Sequence, residues 1–388
     1  MRAVLEMEEP AASAIKSGIG GNAMLRINLW ICSAGIARYV FLSLPAIALL
    51  VTSVSAAGTQ KSDSAAAYIA IATIKYENRD LDGVVANLDA AIARDPGSAQ
   101  AYRLRGKARY EKGELDAAIA DYDRAIALNP RSADAYSDRA LARVTKGDLD
   151  EAIHDLDKAI EIEPRTDLFY HNRGVVRIVR GDLEGAIADF DRTIEINPRF
   201  ADAYSDRGSA RYTRGDVDGA IADWNKALAL DPQLVNAYYS RGIARLTRGE
   251  LAAAIADFDM VIRIKPADAQ SYYVRGDARF MSQDVNGAIA DYTRAIDINP
   301  GFYEAYDGRG SARLTKGDLD GAIADFDRVL SGRPESAVTY ASRGLARLLQ
   351  GNKIQAQKDF ERCLMLDPSL RPLVDEFLKR LEQQRFVV

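Results

Sequence analysis

Apolar residues recur through most of this chain at steps of three and four. Within 115–128, Leu115, Ala118, Ile119, Tyr122, Ala125 and Ile126 share one side of a 3.6-residue helix. A similar stretch precedes it over 101–112. Gly113 separates the two and is suited to the left-handed turn that ends a helix. The pattern predicts a pair of helices, 101–112 and 115–128, joined by a tight turn. Asn129-Pro130 stops the second helix, because proline disfavours helical backbone at the residue before it. Glu114, or Asp in the same slot of most later copies, is placed to cap the second helix and to favour the positive end of its dipole.

This unit repeats. Pro96, Pro130, Pro164, Pro198, Pro232, Pro266, Pro300, Pro334 and Pro368 are spaced by 34 residues, a period that signals stacked repeats and not one globular core. Small residues form columns where helices must approach. One runs through Ala118, Ala152, Ala186 and Ala220, and another through Gly106, Gly174, Gly208 and Gly242, with Ala140 in the same register. The bulky partner on the second helix is Tyr122, Leu156, Phe190, Trp224 or Phe258. The copy at 65–98 is degenerate, as terminal repeats often are, with Ile71, Ala72, Arg79 and Asn87 off the pattern.

Tyr102, Gly106, Ala118, Tyr122, Ala125 and Pro130 together resemble the tetratricopeptide repeat (TPR), over about 65–370 and nine copies. The resemblance implies an all-α fold, a right-handed α-solenoid of helix-turn-helix repeats, whose first helices line a concave groove that binds peptides or protein segments. A capping helix over 371–388 follows, from its stripe Leu373, Val374, Phe377, Leu378 and Leu381. By the same resemblance the groove offers Arg103, Lys107, Tyr110 and Glu111 in the second repeat, and His171, Val175, Ile178 and Val179 in the fourth. Repeats six and seven offer Tyr239, Ile243, Leu246 and Thr247, then Tyr273, Asp277, Phe280 and Met281. Tyr239, Tyr273 and Phe280 are the expected apolar anchors, with packing on neighbouring helices as the alternative.

One departure from the family is systematic. Arg stands at 105, 139, 173, 207, 241, 275, 309 and 343, and again four residues on, from Arg109 and Arg211 to Arg347. That spacing puts both guanidiniums on one helix face. The same eight copies carry an Asp in the second helix, including Asp121 and Asp223. Charge that recurs in balanced register predicts an internal ladder of Arg105, Arg109 and Asp121, and of Arg207, Arg211 and Asp223. The competing reading is a row of arginines that grips an anionic envelope polymer.

Net charge is −5, so bulk charge gives no reason to expect nucleic acid. Cys32 and Cys363 are too far apart in sequence to suggest a metal cluster or disulfide framework. His154 and His171 have no partner spacing for catalysis. The expectation is a non-enzymatic scaffold without cofactor or metal, whose partner is a protein or peptide. At the amino end, 1–23 reads as a possible upstream extension before Met24. Residues 24–57 read as a signal peptide, with Arg26 and Arg38, the apolar run 39–51 and small residues over 52–58, with V-S-A at 54–56. An uncleaved N-terminal anchor is the alternative and the only expected link to a membrane. Residues 58–64 form a polar linker. Either reading places the repeats outside the cytoplasm, periplasmic or secreted, or anchored in the inner membrane and facing the periplasm.

Overall fold

The structure, a computed structural model, describes residues 63–384. The expectations for 1–23, for 24–57 and for the end of the chain at 385–388 lie outside the described residues. Among those described there are nineteen α-helices and no strand. They fall into two compact units, 63–230 and 231–384. The N-terminal unit holds five helix pairs: α1 (Ala65–Glu77) and α2 (Leu81–Arg94), α3 (Ala99–Glu111) and α4 (Leu115–Leu128), α5 (Ala133–Lys146) and α6 (Leu149–Ile162), α7 (Asp167–Arg180) and α8 (Leu183–Ile196), α9 (Ala201–Arg214) and α10 (Val217–Leu230). The C-terminal unit holds four more: α11 (Val235–Thr247) and α12 (Leu251–Ile264), α13 (Ala269–Met281) and α14 (Val285–Ile298), α15 (Tyr303–Lys316) and α16 (Leu319–Gly332), α17 (Ala337–Leu349) and α18 (Lys353–Leu366). A 3-10 turn, Pro368–Leu370, leads into α19 (Arg371–Gln384).

Within each unit the two helices of a pair pack on one another, and each second helix packs on the next first helix. First helices of successive pairs also touch, α3 on α5 and α7 on α9, and likewise α13 on α15 and α15 on α17. The helix expected over 101–112 starts two residues earlier, because the Ser98 hydroxyl accepts the Ala101 N–H at 3.3 Å and so defines its N-cap. Gly113 takes φ +79°, as the turn requires. Arg79 and Gln283 hold the same left-handed turn without being glycine, at φ 57° and 66°.

Two steric rules run through the repeats. The first concerns the expected acid cap. Asp80, Asp182, Asp216, Asp284 and Asp318 each accept the backbone N–H three residues on, and each time that residue is a glycine. A Cβ on Gly185 would sit 2.2 Å from the Asp182 carboxylate, so a side chain there crowds the cap, and Asn352, followed three residues on by Gln355, keeps only a long bond of 3.4 Å. Where Ala117, Glu151 or Ala253 follows, Glu114, Asp148 and Glu250 make no side-chain cap bond. The second rule concerns the core. A Cβ on Gly106, Gly174, Gly242 or Gly310 would fall 2.7–2.8 Å from the ring of Tyr122, Phe190, Phe258 or Phe326. The glycine is the seat of the ring. In the two repeats with alanine in that seat, Ala72 and Ala140, the facing residue is Leu88 or Leu156 instead of an aromatic. The pair keeps its summed volume, which close packing demands.

At the end of the C-terminal unit, Val374 is buried and Phe377 packs partly against a cluster with Phe360 and Cys363. Leu378, expected on the same stripe, is instead exposed.

Candidate interaction face

The arginine columns turn inward. Arg105 Nε and Nη2 donate to the two oxygens of Asp121 at 2.9 and 2.5 Å, and Arg109 Nη1 donates to the same carboxylate at 2.9 Å. Arg207 and Arg211 repeat this on Asp223 at 2.9, 2.6 and 2.9 Å. Two-point binding of a buried carboxylate suits the planar guanidinium fork. Its hydrogen bonds to Asp121 hold Arg105 above the ordinary arginine range, against the opposing effect of burial.

A third contact was not read in the sequence. Arg105 Nη1 reaches back to Asp89, on the second helix of the preceding pair, at 2.5 Å. Arg139 reaches Asp123, Arg173 reaches Asp157 and Arg207 reaches Asp191, each at 2.6 Å. Each of these arginines therefore closes its own hairpin and ties it to the one before. In the C-terminal unit Arg275 meets Asp259 and Arg343 meets Asp327. Arg309 finds the Thr293 hydroxyl at 3.2 Å in that place. The signal for this contact was a second column of acids two residues after the first, Asp123 after Asp121.

On the first helices of the N-terminal unit, the polar residues are largely consumed by each other. Arg103 donates to Asp138 and to Asp134, both at 2.6 Å. Lys107 sits over the Tyr76 ring at 5.4 Å, and the hydroxyls of Tyr110 and Thr145 are 3.1 Å apart. His171, expected to line the groove, is fully buried. Its Nε2 lies 2.9 Å from Asp206, and its ring stacks on Phe200 at 4.9 Å. Several of these contacts join residue i to i+35, one first helix to the next. Val179 remains 40% exposed.

The first helices of the C-terminal unit differ. Tyr239 and Tyr273, read as open anchors or as residues packed on neighbouring helices, are largely packed. Tyr239 meets the Phe258 ring edge-on at 6.0 Å, and Tyr273 lies against Tyr292 at 5.9 Å and Phe302 at 5.1 Å. Burial raises both phenols above their ordinary pKa. Phe280 is half-buried on the Tyr292 cluster, whereas its neighbour Met281 is 42% exposed. Asp277, only 8% exposed, accepts from the Tyr292 hydroxyl at 2.7 Å. Burial pushes its carboxyl up to about 7, opposed in part by the tyrosine hydroxyls. Asp307 accepts from the Thr339 hydroxyl at 2.9 Å, and burial raises its pKa too.

Among the described residues no group of three or more His, Cys, Asp or Glu is placed to hold a metal ion. No helix among them is long and apolar enough to cross a membrane.

Tandem helix hairpins stacked in this way define an α-solenoid built from a short repeat. The chain belongs to the tetratricopeptide repeat family. The model described as "TPR repeat" matches residues 106–147 and 208–249, and models described as "Tetratricopeptide repeat" match 137–201, 239–301, 273–337 and 337–370. No curated protein matches the chain. Among solved structures, pilF of Pseudomonas aeruginosa is similar over 56% of this chain and 99% of its own, at 18% identity and TM-score 0.50, a likeness of fold. MamA is 30% identical over 42% of this chain and 95% of its own, with TM-score 0.41. YrrB, described as a TPR protein with an unusual peptide-binding site, is 22% identical over 47% and 95%, with TM-score 0.42. Membership of this family supports a protein-interaction scaffold.

Proposed function

We propose that the protein is a non-enzymatic scaffold that holds a segment of another protein on the face of its first helices. The observation that carries this is a division of labour along the repeat. The positions that build the stack recur from copy to copy: the glycine seat, the ring above it and the Arg–Asp–Arg ladder. The positions on the first-helix face change from copy to copy and leave apolar side chains such as Val179, Met281 and Leu349 partly open to solvent. The reading in which the arginines grip an anionic polymer has no support in the geometry, since both columns are bound to the Asp column at 2.5–2.9 Å.

Site-specific photo-crosslinking tests this. A crosslinking side chain replaces Met281 on the first-helix face or Met365 on a second helix, which is 71% exposed and controls for simple accessibility. A partner joined from Met281 and not from Met365 is the expected result. Equal yield from both, or yield from Met365 alone, overturns the face assignment. We also propose that the chain is exported, on the strength of the basic, apolar and small-residue succession over 24–57. An envelope fraction containing a chain that begins near Gly58 is the expected outcome, and retention of the protein in the cytosolic fraction refutes it.

A further inference from the structure

The first helix pair is open on the side that the next pairs close. In the second pair, Ala101 and Ala108 on α3 are fully buried in one cluster with Leu88 and Ala91 of the preceding second helix. In the third, Ala142 is buried with Ala118 and Tyr122 of the helix before it. The counterparts of Ala101 and Ala108 on α1 are Ala67 and Ile74, and no hairpin precedes them among the described residues. Ala67, Ala70, Ile71 and Ile74 follow at steps of three and four, on one side of α1. Ala70 is exposed, and Ile71 and Ile74 are 40% and 49% exposed. A repeat end that meets water is expected to be polar. Here the change runs the other way. Ile71 stands where the later copies carry the ladder arginine, and Asn87 where they carry its aspartate. The rim of the face stays polar, with Lys75 paired to Asp80 and Asp63 to Arg94.

The sizes along this stripe say what fits it. Within the repeats a large side chain is met by a small one, a ring by glycine or a leucine by alanine. At the register of Ile74 the later copies carry alanine, or Val176 in the fourth, against the ring or leucine of the preceding second helix. An isoleucine there crowds out such a helix and calls for a small residue opposite. A second α1 supplies it. Ala67 and Ile74 lie equally far from the midpoint between Ala70 and Ile71. Two copies of α1 laid antiparallel about a two-fold axis at that midpoint therefore set Ile74 of each against Ala67 of the other, and Ile71 against Ala70. One operation satisfies all four residues, the self-complementarity that an isologous contact needs. It also brings unlike ends of the two helix dipoles together. The same chain offers no cover once exported. From Gly58 only seven polar or glycine residues precede α1, and Ser64 among them is its N-cap.

We infer that the open face of α1 is a self-association site, occupied by α1 of a second copy in an antiparallel two-fold contact. The inference goes beyond the scaffold function, and it rests on the export reading proposed above for the absence of a cover from the same chain. One helix pair is small beside the ~1,600 Å² of a standard interface, so the dimer is expected to be weak, with a Kd on the order of 10–100 µM.

The test uses protein recovered from the envelope fraction of cells that make the full-length chain, with its N-terminus read by mass. Sedimentation velocity is run from about 2 to about 200 µM, a range that brackets the expected midpoint. A monomer at the lowest concentration and a dimer at the highest are expected. Ile74→Glu changes an exposed position, so helicity should be unchanged while the dimer weakens at least tenfold, because the contact would bury a carboxylate without a partner. Ala67→Cys/Ile74→Cys should trap the dimer under mild oxidation, and neither replacement alone should. Two positions seven residues apart on one helix are separated by about 10 Å, too far for a bridge within one copy. A chain that begins near Gly58 and stays monomeric overturns the inference and leaves the export reading standing. A dimer that Ile74→Glu leaves intact, or that the cysteine pair does not trap, lies elsewhere and overturns the assignment to α1. A chain that keeps residues 39–57 refutes cleavage; the inference then stands if Ile74→Glu dissociates a dimer and falls if the chain is monomeric. A different protein held in place of the second copy, and released by Ile74→Glu, overturns the choice of occupant.

Discussion

The first helices of the two units are built on one template and spend their polar residues differently. In the N-terminal unit the face satisfies itself. Arg103 is divided between Asp134 and Asp138, Tyr110 meets Thr145, and His171 is sunk between Phe200 and Asp206. In the C-terminal unit Asp277 and Asp307 accept from the hydroxyls of Tyr292 and Thr339, while the cation Arg333 is paired with Glu304. The stack beneath is the same in both. A repeat scaffold thus decouples the residues that hold it together from those of its first-helix face, and the second set can differ from unit to unit at no cost to the first.

The comparison breaks first at the ladder. If the scaffold is equivalent in both units, Arg207→Ala and Arg275→Ala should destabilise their units alike. The cost expected is about 3–5 kcal/mol each, because Asp223 or Asp291 is left buried with half its partners. Urea denaturation followed by circular dichroism measures this, and a several-fold disparity would show that the two ladders are not equivalent.

The second prediction concerns pH and belongs to the C-terminal unit. The folded carboxyl of Asp277 sits at about 7, above its unfolded value near 4. Between those values the native state binds more protons than the unfolded state. The contribution of this group to stability is therefore fully present below about pH 4 and is lost as pH rises through 7, by as much as about 4 kcal/mol. Asp307, also raised by burial, adds a slope of the same sign. The clean measurement is the difference between the native chain and Asp277→Asn. That difference should shift in favour of the variant as pH rises through this window. A difference independent of pH would show that Asp277 stays charged, or neutral, throughout.

The third tests the seat beneath the ring. Gly174→Ala should cost about 1–3 kcal/mol by driving a Cβ into Phe190. Adding Phe190→Leu, which recreates the Ala140–Leu156 arrangement, should recover much of it. Additive losses in the double variant would show that ring and seat are independent. The smallest effect is expected at Thr293→Asp, which supplies Arg309 with the carboxylate that its counterparts enjoy. The gain should be about 0.2–1 kcal/mol, as for a half-exposed ion pair, and should shrink at high salt.

Much of this was legible in the residues. The proline ruler and the apolar period specified helix pairs, and the turn at Gly113 fell where expected. The start of α3 was missed by two residues, because Ser98 caps the helix from outside the apolar pattern. The caps were legible only in part. Asp148 and Asp182 look alike in sequence, yet only Asp182 bonds to its helix, and the reason lies three residues on, in Gly185 against Glu151. The groove was the least legible. His171, Tyr239 and Tyr273 occupy the register that faces outward in the family, but a bulky side chain there can pack down instead, as His171 does on Phe200, Tyr273 on Phe302 and Tyr239 on Phe258 of its own second helix.

What the sequence by itself determined is everything carried by period: helix, turn, small-residue seat, and the balance of two Arg columns against one Asp column. Those follow from interactions within one repeat or with its copy, and a local rule repeated many times leaves a pattern on the chain. Tertiary structure alone decided which polar groups on the first-helix face compensate one another. Asp138 has Arg103 beside it and Asp277 has only hydroxyls, a difference set by what the neighbouring helix happens to present. Compensation of charge is a property of the space between side chains, and no spacing along the chain encodes it.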